Sequence, residues 1–347
     1  MNNPFSLTFG EMPNNYIDRL FQSKEIIDSF EKNTSKSYMI TGVRGTGKTV
    51  MLFYISDYFS KKKDWAIVEL ITETDMLDQF ASRLYDTSLF HKIIDGKTFG
   101  FSFNGLSFSI SGEKPITNVV TLIETLIRRI EKKGKKVLVC VDEAVNNTHM
   151  KAFVQTFQLL IREKLPLYLV MTGLYQNIYD LQNNPSLNFL YRSPRITLEP
   201  LNIRSISSQY KETFHIDEKQ AVSLARLTKG YAYAYQVLGY LLWENKTTDI
   251  NERIMSKYDQ YLQEYVYEKI WMELSENDRL VLSSFQNENE TSIEEIKNQT
   301  GLDKKTISVY RDRLIKRGII ESVSYGKTSL RLPRFYEFVQ SKLYRFF

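Results

Sequence analysis

The sequence predicts an α/β domain built on a parallel sheet between helices, then an all-helical segment, then a C-terminal winged helix-turn-helix. Three observations carry this. Gly42 to Thr49 reads G-x-x-x-x-G-K-T, set between a short apolar run (Tyr38 to Ile40) and a helical pattern (Val50, Met51, Leu52, Tyr54, Ile55, Tyr58). Val137 to Val141 is an apolar run that ends in Asp142-Glu143. After Leu274, three short helical patterns are followed by two strand patterns, the order of a winged helix.

Each residue type in the first motif has a physical use. Gly42, Gly45 and Gly47 let the backbone curl until successive N–H groups point inward at phosphate oxygens. Val43, Arg44 and Thr46 complete that loop, and the helix starting near Lys48 aims its positive dipole end at the same anion. Lys48 is placed to reach the β- and γ-phosphates, and the Thr49 hydroxyl to ligate Mg²⁺. The run at 137–141 is apolar throughout, as in a strand buried on both faces. Asp142, at its carboxyl end, is expected beside the loop as the second Mg²⁺ ligand. Glu143 is expected to orient and deprotonate an attacking water. Neither motif alone is decisive; the two together, with βα units between them, point to a nucleoside triphosphate site.

Composition sets the frame. A chain of 347 residues has room for two or three domains, and its apolar and charged fractions, 42% and 25%, are those of a soluble globular protein. The only cysteine, Cys140, permits no internal disulfide, which fits a reducing compartment. Met1 to Pro13 lacks the basic residues and long apolar stretch of a secretory signal. Tyr231 to Trp243, broken by Gln236 and Gly239, falls short of the roughly 20 residues of a membrane span. A cytoplasmic location is expected.

In chain order, Pro4 to Phe30 leads into the loop. Tyr16, Ile17 and Arg19 are candidates to hold a nucleotide base or, equally, packing residues of a leading helix. Trp65 to Ile71 reads as a buried strand and 74–86 as a helix. Next, Phe99, Phe101 and Phe103, the turn pair Asn104-Gly105, then Leu106, Phe108 and Ile110 signal a tight hairpin, an insertion at 97–112. Its register pairs 103 with 106, 101 with 108 and 99 with 110, which places six apolar side chains on one face that must be covered, by the protein itself or by a partner. Residues 116–132 read as an amphipathic helix and 152–162 as another. Leu167 to Gly173 is a strand ending at Thr172, whose hydroxyl is a candidate to contact the γ-phosphate or the catalytic water. Residues 174–191 read as helical with a break at Pro185, and Ile196 to Leu198 as the last strand.

The expected domains are thus 1–200, 201–272 (helices, with Asp217 and Gly230 as end signals) and 273–347. In the last, Ser275 and Asp303 are expected caps. The third helix carries Lys304, Lys305, Arg311, Arg313, Lys316 and Arg317 against only Asp303 and Asp312. With Ser308, and with Lys327 and Arg331 on the wing, Lys304, Lys305 and Arg311 form a candidate duplex-DNA face. A protein-binding winged helix explains the same pattern.

With the loop, the acidic pair, Thr172 and the winged helix in hand, the chain resembles AAA+ ATPases over nearly its whole length. It is most similar to their archaeal-type branch, near the origin-recognition-type initiators and the STAND switch ATPases. The resemblance implies ATP and Mg²⁺ as ligands, a helical lid after the core, the sensor-1 position for Thr172, and an arginine that reaches a neighbouring subunit's nucleotide. Arg192 fits that role best and Arg195 second. The lid departs from both relatives: Gly230-Tyr231-Ala232 is neither the initiators' sensor arginine nor the STAND Gly-x-Pro.

Two functions follow as expectations. One is an ATP-hydrolysing switch that couples nucleotide state to DNA through the winged helix. The other is a signalling ATPase whose winged helix and hairpin bind protein. A GTPase is disfavoured, because Asn245-Lys246-Thr247-Thr248 fails the Asn-Lys-x-Asp base-reading motif.

Overall fold

Continuous apolar runs form the central strands. In the computed structural model, which describes residues 2–8, 12–17, 19–86, 100–103, 106–108 and 118–343, contacts divide the chain into two compact units. One comprises Leu20–Thr41 and Lys48–Thr197, the other Met1–Arg19, Gly42–Gly47 and Leu198–Phe347.

The first unit holds strands β1 (Ser37–Thr41), β2 (Trp65–Leu70), β3 (Gly100–Phe103), β4 (Leu106–Phe108), β5 (Lys136–Val141), β6 (Leu167–Gly173) and β7 (Arg195–Thr197). Five of them form one parallel sheet in the order β2-β5-β6-β1-β7. Thr41 pairs with Gly173 and Val141 with Met171, so the carboxyl ends of β1, β6 and β5 finish side by side. Helices α1 (Leu20–Glu31), α2 (Lys48–Ser60), α3 (Met76–Asp86), α4 (Val119–Lys132), α5 (Thr148–Arg162) and α6 (Tyr175–Gln182) belong to the same unit. Phe30, Phe59, Trp65 and Tyr168 pack ring to ring on one sheet face, with Phe59 and Trp65 at 4.2 Å and Phe30 and Tyr168 at 5.2 Å between centroids. Val139, Leu169 and Met171 join Phe80, Ile127, Phe153 and Phe157 in the other core layer.

Local details differ from the periodicity reading. Helix α5 starts at Thr148, four residues early, because the Asn147 side chain accepts a hydrogen bond from the Met150 N–H at 2.8 Å and caps it. After α6, Pro185 opens a 3₁₀ turn and Leu190–Arg192 forms a second one. The hairpin strands pair Phe101 with Phe108 and Phe103 with Leu106, as expected. Phe99, Asn104, Gly105 and Ile110 lie outside the described residues, as does the expected start of α4 at 116–117.

One buried group stands out. Thr41 is fully buried, and its hydroxyl has no partner among the described residues. A buried, unsatisfied hydroxyl costs about 1 kcal/mol or more. Thr41→Val keeps the shape and removes that cost, so thermal unfolding of the variant is expected about 2–4 °C above wild type. A lower melting temperature would show that the hydroxyl is used.

The second unit contains α7 (Ile203–Phe214), α8 (Glu218–Leu227), α9 (Ala232–Glu244), α10 (Glu252–Leu262) and α11 (Glu268–Met272), with a π-helical turn at Gln263–Tyr267 between the last two. Asp217 caps α8 as expected, accepting from the Gln220 N–H. Gly239, which interrupts the apolar run of α9, seats Phe5: a Cβ there would meet the ring at 2.4 Å. Phe5 also packs on Phe214, Tyr210 and Tyr235. The N-terminal segment therefore binds the helical region.

After it come α12 (Glu276–Ser283), β8 (Thr291–Ser292), α13 (Ile293–Thr300), α14 (Lys304–Lys316), β9 (Ile320–Ser324), β10 (Lys327–Leu330) and α15 (Phe335–Leu343). The strands form an antiparallel sheet in the order β8-β10-β9. Three helices and an antiparallel strand pair, β9 and β10, are present in the expected order, with Ser275, Ser292 and Asp303 as caps. Helix α15 has no counterpart in the sequence reading, although Phe335, Phe338 and Val339 follow helical spacing and are buried. No helix among the described residues is long and apolar enough to cross a membrane.

Candidate nucleotide-binding site

Strand β1 delivers the glycine-rich loop and β5 the acidic pair. Gly45 and Gly47 have φ of 74° and 90°, in the left-handed region that glycine adopts without strain. A Cβ at Gly47 would meet nothing within 4 Å, so the loop has open space beside it. Helix α2 begins at Lys48, immediately after the loop. In its first turn the Thr49 hydroxyl donates to the Asp142 Oδ2 at 2.7 Å. A hydroxyl and a carboxylate oxygen this close are two hard oxygen ligands of the kind Mg²⁺ takes. The residues present fit the group.

Thr172 is fully buried, and its hydroxyl donates to the other Asp142 oxygen, Oδ1. It also accepts from the Glu143 N–H at 3.3 Å, and its carbonyl accepts from the Ala144 N–H at 2.7 Å. Thr172 therefore aims the carboxylate and fixes the turn that carries Glu143. Glu143 itself is exposed, with φ of 50°. Holding a glutamate there costs of order 1–3 kcal/mol, and such strain is retained when the side chain must point in one direction. Asn147 donates from Nδ2 to the Thr72 carbonyl at 2.7 Å, tying the segment after Glu143 to the end of β2. Nothing local in the sequence marked that role.

Arg192 lies in the last 3₁₀ turn before β7, exposed, with Tyr191 beside it 74% exposed. Arg195, the second choice, is engaged: it donates to Gln182 at 3.1 Å and lies over the Tyr175 ring. Arg44 of the loop makes an ion pair with Glu273, at 2.9 Å from Nε and 2.6 Å from Nη2. Val43 lies near Gly318, at the turn between α14 and β9.

The candidate DNA residues are only partly brought together. Lys304, Lys305 and Ser308 are exposed along α14. Lys304 is paired with Glu294 at 2.8 Å, and Lys327 with Glu290 at 3.1 Å. Arg311 reaches across to the wing, donating to the Ser322 hydroxyl at 3.1 Å. Arg331 is placed elsewhere: its side chain is 17% exposed and paired with Glu199, just before the helical region. Arg313 and Arg317 turn inward to the buried Asp278. Much of the basic charge read from α14 is thus spent within the protein. Val309, Val323 and Tyr325 are exposed on the same helix and wing.

The comparisons bear on this geometry. Residues 16–176 match the family model of the type III restriction enzyme res subunit, and residues 264–339 match a domain family of unknown function, DUF8462. No curated protein sequence matches the chain. Among solved structures, the Walker-type ATPase PABY2304 of Pyrococcus abyssi aligns at a TM-score of 0.65 and 14% identity, over 94% of this chain and 96% of that one. The chain has a P-loop NTPase fold. The ORC2 protein of Aeropyrum pernix, solved with ADPNP and ADP, aligns at 0.59 and 12% identity over 96% of each chain. The P-loop fold expected from the sequence is thus the fold observed, and the archaeal and origin-recognition neighbours are those the resemblance named. At these identities the fold is what the likeness carries.

Proposed function

We propose that this protein binds and hydrolyses ATP at the 42–49 loop and passes its nucleotide state to the winged helix. The observation that carries the reading is the Thr49–Asp142 contact at the first turn of α2, with Glu143 next in sequence on a fixed turn. Lys48 and the loop N–H groups hold the phosphates, and Thr49 and Asp142 hold Mg²⁺, which supplies charge neutralisation when bound. Glu143 takes a proton from the attacking water as its oxygen bonds to the γ-phosphorus and the bond to the β–γ bridging oxygen breaks, giving ADP and phosphate. Arg192, exposed before β7, serves a neighbouring copy's site if the chain assembles.

For the output, duplex DNA is the proposed ligand of the α14–wing face, through Lys304, Lys305, Ser308, Arg311 and Lys327; Arg331, largely buried against Glu199, is left out. A protein ligand is the second reading, favoured by the exposed Val309, Val323 and Tyr325 on that face. Fluorescence anisotropy with duplex DNA at several salt concentrations separates them. Each phosphate contact steepens the salt dependence by about 0.9 log unit per log of salt. Replacing both Lys304 and Lys305 by Glu is expected to weaken binding at least about tenfold and leave ATP turnover near wild type. No duplex binding by wild type at low salt in any nucleotide state overturns the DNA reading and leaves the protein ligand.

A further inference from the structure

Four carbonyls of the loop, those of Val43, Arg44, Gly45 and Thr46, each have a donor. The Thr46 hydroxyl donates to Val43 at 2.8 Å. The Tyr231 hydroxyl donates to Arg44. The Tyr233 N–H donates to Gly45 at 3.0 Å, and Arg19 Nη2 donates to Thr46 at 3.0 Å. In a trans peptide the C=O and the following N–H point in opposite directions. Each carbonyl drawn outward to its donor therefore turns the next N–H the other way. The Arg44 carbonyl sets the direction of the Gly45 N–H, and the Thr46 carbonyl that of the Gly47 N–H. Those are the N–H groups a phosphate needs.

From this we infer that Tyr231, at the start of α9, is a positioning residue for the phosphate loop: its hydroxyl holds the Arg44 carbonyl so that the loop keeps its anion-binding shape. It occupies the lid position where neither an arginine nor a Gly-x-Pro is found, and it acts on the loop backbone rather than on phosphate. The inference rests on the nucleotide site proposed above. Three features support it. Tyr231 is 4% exposed, so its hydroxyl is not shared with bulk water. Burial holds its phenol well above its ordinary pKa, so it remains a donor at any working pH. The fit is also close: a Cβ at Gly45 would lie 2.3 Å from the Tyr231 oxygen.

The test is Tyr231→Phe, which removes one oxygen and keeps the ring. Its affinity for ATP and for inorganic tripolyphosphate is measured by calorimetry beside wild type, with thermal melts as a check on folding. The expected result is a loss of about tenfold for both ligands, the effect of one hydrogen bond that leaves a carbonyl unpaired. Tripolyphosphate has no base or ribose, so an equal loss for both places the effect on the loop. Unchanged affinity for both, or a loss confined to ATP, overturns the inference. If wild type binds neither ligand, the nucleotide reading itself fails, which is a different outcome. Should Tyr231→Phe prove too unstable to titrate, Arg19→Gln removes the donor to the Thr46 carbonyl without touching α9. It is expected to weaken tripolyphosphate in the same way, and wild-type affinity in that variant overturns the idea of a loop shaped through its carbonyls.

Discussion

Glu143→Gln is expected to bind ATP as wild type does and to turn it over at least about 100-fold more slowly. A positioned general base contributes typically 10²–10⁴-fold, and glutamine keeps the shape and hydrogen bonding of the side chain without its basicity. The backbone at 143 is held by the Asp142 carboxylate at 3.0 Å and the Thr172 hydroxyl at 3.3 Å, both on its N–H, so the substitution leaves the turn in place. Single-turnover hydrolysis with labelled ATP, beside equilibrium binding, separates the two effects. Wild-type turnover in the variant would remove Glu143 from the chemistry.

The second large effect is on stability. Asp278, in the first turn of α12, is fully buried. It accepts from Arg313 Nε at 2.9 Å and closes a capping box with Ser275. Asp278→Ala leaves Arg313 and Arg317 facing an apolar replacement and removes half of the cap. Breaking a buried pair costs about 3–5 kcal/mol, and a lost cap about 1 kcal/mol. Arg313 is 35% exposed and can turn to water, so a total of about 3 kcal/mol is expected. Thermal unfolding should then begin roughly 6–12 °C below wild type. Asp278→Asn, which preserves shape and part of the hydrogen bonding, should fall between the two. Equal melting of all three proteins would contradict the buried role.

These two cases mark what the sequence could disclose. The loop at 42–49 and the pair at 142–143 are contiguous motifs whose residue types follow from their chemistry, and the strands that carry them are continuous apolar runs. Both were legible, as were the caps at Asp217, Ser275 and Asp303, because a cap acts within four residues of itself. Ion pairing across the chain was not. Arg44 and Glu273 are 229 positions apart and Arg331 and Glu199 132 apart. No local pattern tells a lysine or arginine bound for solvent from one bound for a distant carboxylate. The net positive charge of α14 was therefore overread as surface charge. Phe5 against Gly239 is the same lesson in apolar form: the glycine was visible as an interruption, and the ring that requires it lies more than 200 residues away. Tyr231 reads in sequence only as the absence of a sensor arginine, because the Arg44 carbonyl it donates to lies 187 positions away. Helix α15 was legible in principle from the spacing of Phe335, Phe338 and Val339.

The most direct test is calorimetric titration of Mg²⁺–ATP into wild type and Lys48→Ala. Lys48 opens α2 immediately after the loop, and removing its charge forfeits charge-assisted bonds worth roughly 3 kcal/mol. The expected result is saturable one-to-one binding by wild type and at least about 100-fold weaker binding by the variant. Absence of binding by folded wild type, or equal affinity in both proteins, would contradict a nucleotide site at Gly42–Thr49.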